Sequence, residues 1–383
     1  MTKTLDRGRI LILETGSLTT RIGYLRDNRK VFIRTLNHSA YKIASFPKIM
    51  DQEAWRRDEV LSVLSEEGIS LTDIDIIMAR GGLFAPVRTG VYRVNRDMRD
   101  VLLTCRDGVH AVNLGPVIAD DLADMINEMR DSQKGEPSPF GTCRAYIADA
   151  PMSDEMAPEC RLGGIPEFPR RAFFHALNSR AAVRLYLDEE ERSEEGLHAI
   201  VAHLGGGITV TVHRNGEVID TNNGLGGDGP FTPERAGTCP AFPLVEMCFS
   251  GKFTEGEIKR KLVGEGGAVA YFGTSDMGEI IRRANDGAKD EALFLDAFCL
   301  GISKHICAGA ATLKGKVDVI ILTGDLAAYD EITSRIEERV GFLAPVKEYP
   351  GEHYFESLSR YGYLILAKEV PIHRYDKNAI VAD

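Results

Sequence analysis

An internal echo narrows the folds open to this chain. An apolar run, Arg9 to Glu14, reaches the turn Thr15-Gly16-Ser17 and continues as an alternating stretch through Leu25. A charged turn, Arg26 to Lys30, then leads into Val31-Phe32-Ile33. About half the chain later the same order returns. Ala199 to His203 reaches Gly205-Gly206-Gly207, an alternating stretch follows to His213, and the polar turn Arg214 to Glu217 leads into Val218-Ile219-Asp220. The stretches align with Gly16 over Gly205 and one short gap. A repeat of this length implies two domains of similar fold related by duplication. A chain of 383 residues has room for both, and 44% hydrophobic residues supply two cores and exclude general disorder.

Helical and strand patterns alternate between the echoes, which indicates α/β layers. Helices are expected at Asp51 to Glu67 (with Val60, Leu61 and Leu64 on one side), Val117 to Arg130, Pro169 to Leu187 with paired arginines at its start, Asp290 to Leu313, and Tyr354 to Val370. Buried strands are expected at Ile74 to Ala79, Arg144 to Asp149 and Val317 to Leu322. A loop is expected at 131–139 and a polar, fraying tail at 371–383.

Charge and cysteines narrow the function. The formal charge is 46 − 57 = −11, which argues against a nucleic-acid partner while leaving room for a locally basic site on a small anion. No run reaches the ~18–20 apolar residues that span a bilayer, and the N-terminus lacks the long apolar stretch of a secretory signal. The seven cysteines fall in no C-x-x-C pair, so neither a disulfide framework nor a zinc ribbon is suggested. A cytoplasmic protein with no membrane partner is the expectation.

A strand–glycine–strand turn exposes backbone N–H groups with hydroxyls beside them, which makes an anion cradle. The alternative is an ordinary hairpin in which glycine only supplies φ > 0. Two turns at equivalent places in duplicated domains favour the cradle, facing one another to grip a polyphosphate. Neither is a Walker loop or a dinucleotide fingerprint, because the spacing is absent and Gly207 runs into a strand.

A set of motifs then carries a resemblance. They are Arg80-Gly81-Gly82-Leu83, Tyr92-Arg93-Val94-Asn95, Val112-Asn113-Leu114-Gly115, Phe174-His175-Ala176-Leu177-Asn178, His203-Leu204-Gly205-Gly206-Gly207, the stretch Asp228 to Thr238, and Tyr349-Pro350-Gly351-Glu352. The chain resembles the butyrate kinase branch of the acetate kinase family, within the sugar kinase, Hsp70 and actin superfamily, from Ile10 to about Val370. The resemblance implies two duplicated actin-like (ribonuclease H-like) domains with a central ligand cleft. The first would span 1–165, completed by the helix 354–370, and the second, nucleotide-binding, 166–353. It implies ATP and Mg²⁺, a short-chain carboxylate as acceptor, and a homodimer or higher homo-oligomer.

A carboxylate acceptor is already ionised, so the site needs positive charge rather than a general base. Arg80 and Arg235 are the candidates for it. A surface arginine paired with a carboxylate is the alternative for each. Asp149, at a strand end, is assigned to Mg²⁺ through water, with an Asx turn into Ala150-Pro151 as the alternative. His203 and His175 match the family's phosphate-side histidines, against the alternative of satisfied core histidines. Asn113, Tyr92 and Leu83 are placed beside the acyl chain, with Val87 and Phe84 as apolar walls or plain core. Gly16, Ser17, Thr19, Arg21, Gly205, Gly206, Gly207, Gly324 and Asp325 are placed at the nucleotide.

Three positions depart from the family pattern. Glu14 replaces an asparagine, so it would ligate Mg²⁺ or repel the triphosphate. Arg21 replaces a lysine, and Asp325 replaces the second glycine of a Gly-Gly turn, where a side chain would crowd the nucleotide or its carboxylate would accept from a ribose hydroxyl or an adenine amine. The expected function is reversible phosphoryl transfer between ATP and a short-chain or branched carboxylate. The alternatives are a non-catalytic relative that senses acyl phosphate or nucleotide, and a hydroxyl kinase using Asp149 as base.

Overall fold

The computed structural model describes residues 7–132 and 138–378. The N-terminus before Arg7, the middle of the loop expected at 131–139 and the end of the tail lie outside them. Twelve strands run through the described residues: β1 (Arg9–Thr15), β2 (Thr19–Arg26), β3 (Arg29–Asn37), β4 (Ile76–Arg80), β5 (Val91–Arg93), β6 (Ala145–Ala148), β7 (His198–Leu204), β8 (Ile208–Arg214), β9 (Glu217–Thr221), β10 (Val319–Gly324), β11 (Val346–Pro350) and β12 (Ile372–Arg374). The chain divides into two compact units, one of Met1–Ser153 with Tyr354–Asp383 and one of Asp154–His353.

Each unit is built on one sheet. The first has the order β12-β5-β6-β4-β1-β2-β3 and the second β11-β10-β7-β8-β9. The five strands β3-β2-β1-β4-β6 match β9-β8-β7-β10-β11 in order and direction. In both, an antiparallel three-strand meander meets two parallel strands. The repeated sequence therefore folds into a repeated sheet.

The central strands are apolar on both sides because helices cover both faces. In the first unit Leu11, Leu13, Ile77 and Ala79 face the helix Leu114–Ser132 through Leu114, Val117 and Ile118. Ile10 and Met78, one residue out of phase, meet the helix Tyr354–Ala367, which approaches so closely that a Cβ on Gly362 would touch both. In the second unit Ile200, Ala202 and Leu204 join the core of the helix Lys289–Thr312. Ala199 and Val201 pack instead with Ala182, Val183 and Tyr186 of the helix Ala176–Glu189. Lys289–Thr312 is long and apolar enough to cross a membrane by composition alone, but Phe298, Cys299, Ile302 and Ile306 are wholly buried in this core. All seven cysteines are free.

Two segments differ from the sequence expectation. The helix expected from Pro169 begins only at Ala176. Phe173 is engaged first, its carbonyl accepting from Gly224 N, and Arg170 reaches the Cys160 carbonyl, Asp220 and the Thr221 carbonyl. The tail, read as fraying, supplies strand β12 on the sheet edge beside β5, and Tyr375 is buried against Phe84. An extended backbone against an open edge gains ladder hydrogen bonds that composition does not reveal.

Candidate active site

In the first unit the parallel strands β1, β4 and β6 bring three charged residues to neighbouring carboxyl ends. Leu13 pairs with Ala79 and Arg80 with Ala148, so Glu14, Arg80 and Asp149 end adjacent strands. Ligand sites in open α/β sheets form at such ends. Glu14 is buried, and its two oxygens accept from different guanidinium groups, Arg80 at 3.2 Å and its cross-strand neighbour Arg21 at 3.2 Å. Arg80 also donates to the Tyr354 hydroxyl at 3.2 Å, with its guanidinium 4.2 Å from that ring's centre. Arg21 lies 4.8 Å from the Phe355 ring. Two of the three departures from the family pattern thus pair with each other.

Asp149 is 1% exposed and holds φ of +41°, a sparsely populated conformation for a residue with a side chain. One carboxylate oxygen accepts from Gly90 N at 2.9 Å and the other from the Tyr361 hydroxyl at 2.6 Å. The Asx turn into Ala150-Pro151 is not formed; Pro151 has no N–H to donate. Tyr354 and Tyr361 lie seven residues apart on one helix, so the same face orients both Arg80 and Asp149.

Asn113, Leu83 and Tyr92 are all buried. The Asn113 amide accepts from Leu83 N at 2.7 Å and donates to the Gly108 carbonyl at 2.9 Å. It therefore fixes the backbone that follows Arg80-Gly81-Gly82. The Tyr92 hydroxyl donates to the Arg88 carbonyl at 3.1 Å and its ring lies 5.1 Å from His373.

The first glycine turn is held from behind. Arg56, wholly buried, donates to the Gly16, Thr19 and Ser17 carbonyls at 2.9, 2.9 and 3.0 Å, and to Thr20 Oγ1 and Gln52 Oε1. Arg56, Val60, Val63 and Leu64 form the buried stripe of the helix Glu53–Glu66, whereas Leu61 is only partly buried.

In the second unit His203 ends β7 and its ring stacks on His175 with centroids 3.7 Å apart. His175 Nδ1 meets Thr209 Oγ1 at 2.9 Å. The Asn178 amide accepts from the backbone N–H of His353 at 2.7 Å, which fixes its orientation, so its NH₂ donates to His203 Nδ1 at 2.9 Å. The His203 proton therefore sits on Nε2, and that nitrogen faces Glu352 at 3.9 Å. Asn178, Thr209 and Glu352 were not singled out from sequence, although two of them lie inside quoted motifs.

The second turn has its own supports. Thr232 Oγ1 donates to the Gly206 carbonyl at 2.7 Å, and Arg235 donates to the Gly224 carbonyl with its guanidinium against Gly207. Burial lowers the Arg235 pKa, which Glu234 opposes. Gly324 has φ of +90°, and a Cβ there would collide with the Leu204 carbonyl. Asp325 is exposed and opens the short helical turn Asp325–Ala328. Within the chain, the steric constraint at this turn falls on Gly324.

Among the described residues no group of three or more His, Cys, Asp or Glu side chains could hold a metal ion. Glu14, expected as a ligand, has both oxygens on guanidinium groups. Asp149, its carboxylate oriented by Gly90 N and the Tyr361 hydroxyl at a strand end, is the kind of donor that fits magnesium, which takes one or two carboxylates, waters and substrate phosphates rather than a protein cage.

A profile of the Acetokinase family matches residues 170–341. Butyrate kinase 2 of Clostridium acetobutylicum is 39% identical over 367 residues, 96% of this chain and 99% of that one. Butyrate kinase 1 of the same organism is also 39% identical over 367 residues, with the same coverage. The crystal structure of Porphyromonas gingivalis acetate kinase superposes with a TM-score of 0.69 at 16% identity, covering 94% of this chain and 100% of that one. The fold is thus that of the actin-like acetate kinases, and identity of this extent over nearly the whole of both chains shows that the protein belongs to the acetokinase family, on its butyrate kinase branch.

Proposed function

We propose that the protein is an acyl kinase that moves a phosphoryl group reversibly between ATP and a short-chain or branched carboxylate. The observation that carries this reading is the near full-length identity to butyrate kinases. In the forward direction a carboxylate oxygen forms a bond to the γ-phosphorus, the bond from that phosphorus to the β–γ bridging oxygen breaks, and ADP leaves. No proton needs to be removed, so the work is electrostatic. Arg80, oriented by Glu14 and Tyr354, counters the repulsion between the two anions. His203, with its proton on Nε2, donates to phosphoryl oxygens. Arg235 and the turn Gly205–Gly207 act on the phosphate side, and Gly324 with Asp325 borders the nucleoside. Asp149 would hold Mg²⁺ through water, and the ion would neutralise phosphate charge. Glu14 neither repels the nucleotide nor motivates a sensor role, because Arg21 and Arg80 balance it.

We also propose self-association and a reducing, cytoplasmic setting. The helix Ala241–Phe249 buries none of its residues, and Phe242 and Phe249 are 84% and 86% exposed. The free thiols support the compartment. Sedimentation of the wild type and of Phe242→Ser tests the first point, with an assembly lost in the variant as the expected result.

A hydroxamate assay with Mg-ATP across straight and branched carboxylates tests the activity. Turnover with acids near butyrate is expected; a folded sample inactive on every acid removes the reading.

A further inference from the structure

The first glycine turn is unusual in the way its carbonyls are disposed. Gly16, Ser17 and Thr19 give theirs to Arg56, and Leu18 gives its own to His38 N at 2.8 Å. The amides of Ser17 and Leu18 have no hydrogen-bond partner among the described residues, and both residues are exposed. All four backbone carbonyls of the turn are thus engaged within the protein and two backbone donors are left over. Arg56 forms no ion pair among the described residues; its acceptors are carbonyls, a hydroxyl and an amide. Burial brings its pKa down only to about 10, so it stays cationic at neutral pH. A buried, uncompensated charge is costly and is kept only where the surroundings satisfy each donor. Here three of the satisfying groups are carbonyls of the turn itself, with Thr20 and Gln52 taking the other donors.

We propose that Arg56 is the positioning residue that makes the Gly16–Thr19 turn a phosphate acceptor, drawing its carbonyls inward so that the Ser17 and Leu18 amides and a net positive charge meet the nucleotide's phosphates. This rests on the reading of the turn as a phosphate cradle. Arg56 touches no substrate; it acts through the backbone it holds.

The test uses the intact protein with ATP, butyrate and three variants. Arg56→Met removes charge and fork, Arg56→Lys keeps charge but not the fork, and Ser17→Asp places an anion on the exposed turn. Arg56→Met is expected to raise the KM for ATP about tenfold or more, Arg56→Lys about threefold, with the KM for butyrate within about twofold for both. Ser17→Asp is expected to weaken ATP about tenfold. A general structural defect would move both substrates together and overturns the proposal. If Ser17→Asp weakens ATP but Arg56→Lys, folded, leaves it unchanged, the Arg56 role alone falls. If Ser17→Asp has no effect, the cradle reading falls with it. Should Arg56→Met not fold, the lysine variant decides.

Discussion

Glu14 and His203 occupy matching places, two residues before the glycine turn in their respective units. Their surroundings have nothing in common. Glu14 is an anion held between Arg21 and Arg80, whereas His203 is fixed by an amide and stacked on a second imidazole. The turns differ in the same way. A buried cation holds the carbonyls of the first, while the Thr232 hydroxyl holds the second and an arginine lies beside it. Duplication preserved the backbone path and let the chemistry of each copy diverge. Strand order is set by many apolar residues that tolerate exchange, but a polar cluster is set by a few side chains whose hydrogen bonds must all be met.

Four experiments test this contrast. The largest effect is expected at Arg80. Arg80→Met should lower kcat/KM for butyrate about 10²–10³-fold, and Arg80→Lys should restore little, because the Glu14 contact and the Tyr354 face suit a planar fork. Full rescue by lysine would reduce Arg80 to a point charge. In the second unit the strand that matches β4 ends in Gly324, where Gly324→Ala should cost about 2 kcal/mol or more of stability, read as a lowered Tm. An unchanged Tm would mean the backbone there is free to relax. Thr232→Val removes the hydroxyl that donates to Gly206 and accepts from the Glu234 and Arg235 amides, and should raise the KM for ATP about fivefold with Tm lowered by a few degrees. No change would make the second turn indifferent to its anchor.

The smallest effect is on acid stability. Burial, and then the charge of Arg56, push His38 down to about 4, and burial with Arg180 pushes His213 to about 3. The unfolded chain takes up these protons near the ordinary 6.5 and the folded chain refuses them. Stability is therefore full above that pH and is lost as pH falls, until about 4 for His38 and about 3 for His213. His38→Gln and His213→Gln should each flatten the acid limb of a denaturation series, and the His213 variant should do so to lower pH. Equal slopes for variant and wild type would show that these rings are protonated in the folded state.

Much of the fold was legible because it rests on periodicity. The β1 and β7 runs and their turns appear in both sequence and structure, as do the apolar faces of Lys289–Thr312 and Tyr354–Ala367. The tail strand was not legible, since Ile372–Arg374 has no buried residue and owes its form to the neighbouring edge. At the candidate site, Arg80, Asp149 and His203 are readable from strand ends and motifs. Their supports are not. Tyr354 and Tyr361 reach Arg80 and Asp149 from more than 200 residues away in sequence.

Two copies of one α/β unit and a place among kinases of carboxylates are readable from the residues alone, because apolar period and motif order are local, additive signals. The neutralisation of Glu14, the protonated nitrogen of His203 and the support of the first turn emerge only once the chain is folded. Each of those depends on donors and acceptors brought within about 3 Å by strands and helices distant along the chain, and hydrogen bonding weakens steeply beyond that range.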